Sequence, residues 1–211
     1  MSDSQFDVVV FGATSFVGQI LCQYLFDTYG ADGELKWAAA GRSQDKLEQV
    51  KASLGDAASA LPLITANAND ADSLDALCAQ TRVVVSTVGP YALYGEPMIK
   101  ACVNSGTDYC DLTGEAQWIA DMLEQYEATA KKNGARIVHC CGFDSIPSDM
   151  GVYFLQQQAQ ARFNAPASTV RMRVKVAKGG VSGGTVASMM NIAEEAGKDP
   201  ALRKRLANPY L

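Results

Sequence analysis

Long apolar runs, metal-ligand spacings and basic clusters are all missing from this 211-residue chain, and each absence removes a class of function. No apolar stretch approaches the roughly 18 residues that a membrane-spanning helix requires. The N-terminus, reading Met-Ser-Asp-Ser-Gln-Phe-Asp, lacks the basic-then-apolar pattern of a secretory leader, so a soluble chain is expected. The six cysteines (Cys22, Cys78, Cys102, Cys110, Cys140, Cys141) include no Cys-x-x-Cys pair and sit mostly in apolar segments, where a thiol acts as a small hydrophobe. That usage predicts a reducing, cytoplasmic setting without disulfide, zinc or other metal. Lysine and arginine never run longer than Arg203-Lys204-Arg205 and the formal net charge is -5, so no nucleic-acid partner is expected. What is present, 48% hydrophobic and 19% charged residues, is ordinary globular composition, enough for one complete domain and part of another.

Short apolar runs alternate with amphipathic segments from Phe6 to Cys141, the pattern of βαβ units feeding a parallel sheet. Residues 6–11 read as a buried first strand. Val17, Ile20, Leu21, Tyr24, Leu25 and Thr28 then recur at helical spacing, with Gly30 closing that helix. Further strands are expected at 35–40, 61–65, 82–88, 107–112 and 135–141. Between them lie a helix capped by Ser43 that presents Leu47, Val50 and Leu54, and one capped by Asp70 or Asp72 that carries Leu74 and Leu77. Another is opened by Pro97 and ended by Gly106, and a long one at 115–133 is stopped by Gly134. Six such strands make a Rossmann-type, doubly wound α/β domain of residues 1–150. From 151 to 211 the style changes: Val170, Met172, Val174 and Val176 alternate with Arg171, Arg173 and Lys175, predicting a half-buried antiparallel strand at 168–176. This would begin a second, α+β domain for substrate or dimer contact, and about 60 residues are few enough for it to be truncated.

Chemistry is concentrated where strands end. Gly12-Ala13-Thr14-Ser15-Phe16-Val17-Gly18 lies between the first strand and the first helix, the context in which a glycine pattern holds a dinucleotide. Gly12 permits the tight turn, the helix start at Ser15, Phe16 and Val17 offers N–H groups to a pyrophosphate, and Gly18 lets helix and strand pack closely. Ser15 stands where a middle glycine is common, and its hydroxyl could donate to phosphate. The second strand ends in Gly41-Arg42-Ser43, with no acid to hold a ribose 2′-OH; Arg42, with Ser43 and Lys46 close by, suits the 2′-phosphate of NADP instead. After the fourth strand, Thr87, Val88, Gly89 and Pro90 would pass close to the cofactor, while Tyr91 and Tyr94 could flank a nicotinamide or donate to substrate, or simply pack. The sixth strand delivers His139, the only histidine, and then Asp144 and Asp149. His139 is a candidate acid or a satisfied core residue, Asp149 suits a helix first turn, and Asp144 has no evident structural role.

Taken together, GATSFVG, AGRSQDKL, STVGPYALYGEP, GTDYCDLTGE and CGFDSIPSD, in that order, resemble the saccharopine dehydrogenase-like oxidoreductases, a family that includes trans-acting enoyl reductases. The resemblance runs from Val8 to Asp149 and weakly on through the final ANPYL; the chain departs from the pattern at Ser15 and in being much shorter. It implies an NADPH-dependent reductase whose cofactor domain is interrupted by a substrate domain and completed by the end of the chain.

The enzyme reading is hydride transfer to an enoyl, imine or carbonyl group of a small-molecule substrate, a lipid-like one among the options, shielded from water, with Tyr94, Asp144 and His139 as candidate catalytic groups. The alternatives are a non-catalytic NADP-binding sensor or scaffold, and a membrane-surface platform built on the basic face of 168–176. No tyrosine here is followed four residues later by lysine, which sets the short-chain dehydrogenases aside. A homodimer through the second domain is a further expectation.

Overall fold

In β1 (Phe6–Phe11) successive residues point to opposite faces of a sheet, and both faces are covered. Val9 and Phe11 join a core with Leu74, Leu77, Val84, Met98 and Trp118, while Val10 joins one with Cys22, Leu25, Trp37, Leu47 and Val50. A computed structural model describes residues 4–176 and 178–208. After β1 come α1 (Phe16–Tyr29), β2 (Trp37–Gly41), α2 (Gln44–Ser53), β3 (Leu63–Thr65), α3 (Ala71–Cys78) and β4 (Thr81–Ser86). Then follow α4 (Tyr91–Tyr94), α5 (Glu96–Ser105), β5 (Asp108–Asp111), α6 (Ala116–Asn133), β6 (Ile137–Val138) and α7 (Ile146–Phe163). The helices α8 (Gly183–Lys198) and α9 (Pro200–Leu206) complete the described residues.

The six strands are parallel, in the order β3-β2-β1-β4-β5-β6. Val9 of β1 lies beside Ala38 of β2 and Val84 of β4. Helices α1 and α2 cover one face; α3, α5 and α6 cover the other. Residues with the right side chains start the helices. Ser15, Ser43 and Asp70 each accept an N–H from the first turn of the helix that follows, and Gly106 and Gly134 close α5 and α6 in the left-handed region. This is the doubly wound α/β domain expected from the alternation.

Several boundaries differ from expectation. The last strand is two residues long rather than seven because the chain turns out of the ladder after Val138. Cys140 has φ of 60° and gives its N–H to Asp111 Oδ1, 3.2 Å away. The fourth strand stops at Ser86, since Thr87 to Pro90 become the loop at its carboxyl end. Residues 168–176 form no strand: they lack regular secondary structure and are mostly exposed, with no ladder partner among the described residues. Alternation marks a face that suits a sheet, but a strand exists only when a neighbour satisfies its backbone groups. The described residues after 151 therefore show helices where α+β structure was expected. Among the described residues no helix is long and apolar enough to cross a membrane, and no group of three or more metal-binding side chains gathers.

Candidate functional site

The turn from β1 into α1 is built so that only glycine fits at two places. Gly12 has φ of +90°, and a Cβ there would come within 2.7 Å of Thr87 Oγ1. At Gly18 a Cβ would sit 2.2 Å from the carbonyl oxygen of Gly12, so α1 can approach β1 this closely only without a side chain. Between them Ser15 caps α1: its Oγ accepts the Gly18 N–H at 2.9 Å, and its own N–H donates to the Gly12 carbonyl at 2.9 Å. Thr87 Oγ1 lies 2.9 Å from Ser15 Oγ and 2.9 Å from the Gly12 carbonyl it donates to, so the Ser15 hydroxyl donates to Thr87. That hydroxyl ties the β1 turn to the β4 loop instead of facing outward for phosphate. The amides left without a partner inside the helix are those of Phe16 and Val17. The Phe16 side chain itself is exposed.

These residues form one wall of a cleft of about 290 Å³ across the carboxyl ends of β1 to β4. Gly12, Thr14 and Ser15 meet Gly41 and Arg42 from the end of β2 and Thr87, Val88 and Gly89 from the loop after β4, with Tyr94 of α4 beyond them. The cleft straddles the point between β1 and β4 where the strand order reverses, the usual place for a ligand in such sheets. Arg42 is exposed and makes no ion pair or hydrogen bond with another described residue. Its two neighbours are placed differently: Ser43 caps α2, accepting the Lys46 N–H at 3.4 Å, and neither lines the cleft.

The cleft also contains a stretch that motif reasoning missed. Ala66, Asn67, Ala68 and Asn69 follow β3, and Asn67 Oδ1 accepts the Asn69 N–H at 3.1 Å. Only their turn-forming composition, directly after a strand, could have flagged them.

The other expected residues lie elsewhere. Tyr91 is buried, its ring 5.5 Å from that of Trp118 and its hydroxyl donating to the Ser86 carbonyl at 3.0 Å. Burial, aided by Asp111 nearby, pushes that hydroxyl well above the usual tyrosine range, so it stays protonated beneath the cleft. Pro90 precedes α4 and does not line the cleft. His139 has an 8% exposed side chain, places Nδ1 2.7 Å from Asp111 Oδ2, and packs edge-on to Trp118 and Tyr109. It lies beside Met122 and Tyr126 on the α6 face, away from the cleft. Asp144 is exposed in the loop before α7, where its backbone carbonyl accepts the Ser148 hydroxyl at 3.1 Å. Of the three residues expected to act in catalysis, Tyr94 alone lines the cleft.

A buried carboxyl also escaped sequence reasoning. Glu115, read there only as the start of a helix, is 1% exposed. Its Oε1 accepts the Tyr91 N–H at 2.8 Å and the Ser188 hydroxyl at 2.7 Å, and its Oε2 accepts the Ala92 N–H at 2.8 Å.

Comparison with known proteins agrees with this geometry. The sequence pattern described as the saccharopine dehydrogenase NADP binding domain matches residues 8–138. A Mycobacterium tuberculosis protein named provisionally as a trans-acting enoyl reductase is 43% identical over 207 residues, 98% of this chain and 49% of that one. A Mycobacterium bovis protein named trans-acting enoyl reductase is 38% identical over 210 residues, 99% of this chain and 50% of that one. The chain thus spans about half the length of these relatives. Among solved structures, apo saccharopine dehydrogenase (L-Glu forming) from Saccharomyces cerevisiae superposes with a TM-score of 0.57 at 20% identity, over 74% of this chain and 32% of that one, a likeness of fold.

Proposed function

Because the chain belongs to the saccharopine dehydrogenase NADP-binding domain family, we propose that it is the cofactor-holding part of an NADPH-dependent oxidoreductase that reduces an enoyl, imine or carbonyl group of a small molecule. The relatives' names favour the enoyl group. The observation that carries the reading is Arg42: a guanidinium without a partner among the described residues, at the end of β2, in the same cleft as the Gly12 turn.

The residues present fit the cofactor. Gly12, with its positive φ and no Cβ, lets Thr87 and Val88 close in on the turn, and Phe16 and Val17 present first-turn amides and the positive end of the α1 dipole to the pyrophosphate. Arg42 pairs with the 2′-phosphate, and Gly41 puts no carboxylate where it would repel that group. This sets the adenosine toward β2 and β3, where Asn67 and Asn69 can bond the base, and the nicotinamide toward Gly89 and Tyr94. Bound there, NADPH supplies a hydride. The protein orients it, and the Tyr94 hydroxyl, 40% exposed as a residue, is the chain's own group best placed to hold a proton near the acceptor.

Residues 1–150 are assigned to the cofactor and 151–211 to substrate or subunit contact. Helices α8 and α9 bury no residue of their own, which leaves Val186, Met189 and Met190 available for an apolar partner. The reading suits the cytoplasm, where NADPH is at hand and thiols stay reduced.

Calorimetric titration with NADPH and NADH tests the proposal. NADPH is expected to bind more tightly, and Arg42→Ala to remove most of the difference: a charged hydrogen bond contributes about 1.5–3 kcal/mol, roughly 10- to 100-fold. Equal affinity for the two nucleotides in the unaltered chain would overturn the cofactor assignment. NADPH oxidation by enoyl, imine and carbonyl acceptors then identifies the reducible group.

A further inference from the structure

A carboxyl group sealed in a core is costly unless donors surround it, and Glu115 has three: the Tyr91 and Ala92 amides and the Ser188 hydroxyl. The two amides belong to the first turn of α4, where they have no partner within the helix. This four-residue helix starts just past Gly89, which lines the cleft, and ends at Tyr94, which lines it again. One carboxyl group at the start of α6 therefore fixes the segment that forms the β4 side of the cleft. Its Oε1 also takes a hydrogen bond from α8, outside the sheet altogether.

We propose that Glu115 is a positioning residue for the nicotinamide end of the cofactor, holding Gly89 and Tyr94 in place, and that Ser188 sets how firmly it does so by sharing Oε1. The proposal rests on the NADPH reading above, since Arg42 sets the adenosine end and so leaves Gly89 and Tyr94 for the other. It makes α8, in the half of the chain assigned to substrate, a direct neighbour of the group that shapes the cofactor site.

Glu115→Gln keeps the shape but replaces one acceptor with an NH₂, which then faces a backbone N–H, donor against donor. Ser188→Ala, on a half-buried helix position, removes only the shared bond. Both variants are titrated with NADPH and with 2′-phospho-ADP-ribose, which keeps the adenine, the pyrophosphate and the 2′-phosphate but lacks the nicotinamide. The expected result is a tenfold or greater loss of NADPH affinity in Glu115→Gln and a two- to fivefold loss in Ser188→Ala, with 2′-phospho-ADP-ribose within twofold of the unaltered chain. Equal losses for both ligands would mean general damage and overturn the proposal, as would unchanged NADPH binding. Should Glu115→Gln fail to fold, Ser188→Ala decides by the same comparison. Failure of the unaltered chain to bind 2′-phospho-ADP-ribose would instead overturn the NADPH reading itself.

Discussion

Replacing Gly18 by alanine separates the demands of stability from those of the cofactor. The new Cβ would lie 2.2 Å from the Gly12 carbonyl oxygen and 2.9 Å from Ala13 Cα, both backbone atoms that cannot swing aside. Ordinary C···O contacts start a little above 3 Å, so α1 must retreat from β1 by about 1 Å. Overpacking of this kind costs about 1–3 kcal/mol, and alanine regains up to about 1 kcal/mol of that as a better helix former, leaving a net destabilisation of about 1 kcal/mol. The amides of Phe16 and Val17 travel with the helix. A shift of about 1 Å takes an N–H bond to phosphate out of its 2.7–3.2 Å range, and each such bond lost costs about 1.5–3 kcal/mol, or roughly 10- to 100-fold in affinity. Thermal unfolding and NADPH titration of the same variant should therefore show a melting point lowered by only about 2–4 °C beside a Kd raised at least tenfold. A variant that melts lower yet keeps its Kd within twofold would refute the placement of phosphate at this helix start.

His139→Leu should lower the melting point, because it takes a donor from Asp111, whose side chain is fully buried, while NADPH affinity stays within twofold; a large loss of affinity would restore His139 to the cofactor site. Asp108→Asn carries a pH signature. The hydrogen bond from the Arg136 side chain holds the Asp108 carboxyl below its usual range, against the opposing effect of burial and with help from the Arg136 backbone N–H. A lowered folded-state pKa means that the stabilisation is fully present above the unfolded value of about 3.9 and is lost as the pH falls through the folded one. The melting-point gap between Asp108→Asn and the unaltered chain should therefore be open at pH 7 and narrow on acidification below that value. A gap that does not narrow would sink the argument.

How far the sequence reveals the fold depends on whether a feature is local. The valines of β1 have neighbours covering both faces, so an unbroken apolar run is enough to announce that strand. The serine and aspartate caps and the closing glycines act within a few residues and are legible for the same reason. What escapes is long-range. The end of β6 is set by Asp111, 29 residues before the Cys140 amide it binds, and 168–176 needs a ladder partner that alternation alone does not supply. In the site, Gly12, Ser15, Arg42, Thr87 and Gly89 gather as their positions at strand ends imply. Tyr91 and His139 carry suitable groups but point into the core, because residue type does not fix the direction of a side chain. Glu115 hid for the converse reason, as an ordinary helix-start glutamate whose donors arrive from residues 23, 24 and 73 positions away.

The hydrogen bond between Ser15 and Thr87 joins residues 72 apart in the chain. Closing a loop of that length costs about 4 kcal/mol in chain entropy. Newly made chain, emerging from its N-terminus, would carry the glycine turn and Arg42 for some time before the loop that faces them had been synthesised. Until then it presents half a groove to the surrounding nucleotide. The first NADPH held across both walls would thus mark the moment at which β4 takes its place beside β1, so cofactor capture can serve as a clock for the assembly of the sheet.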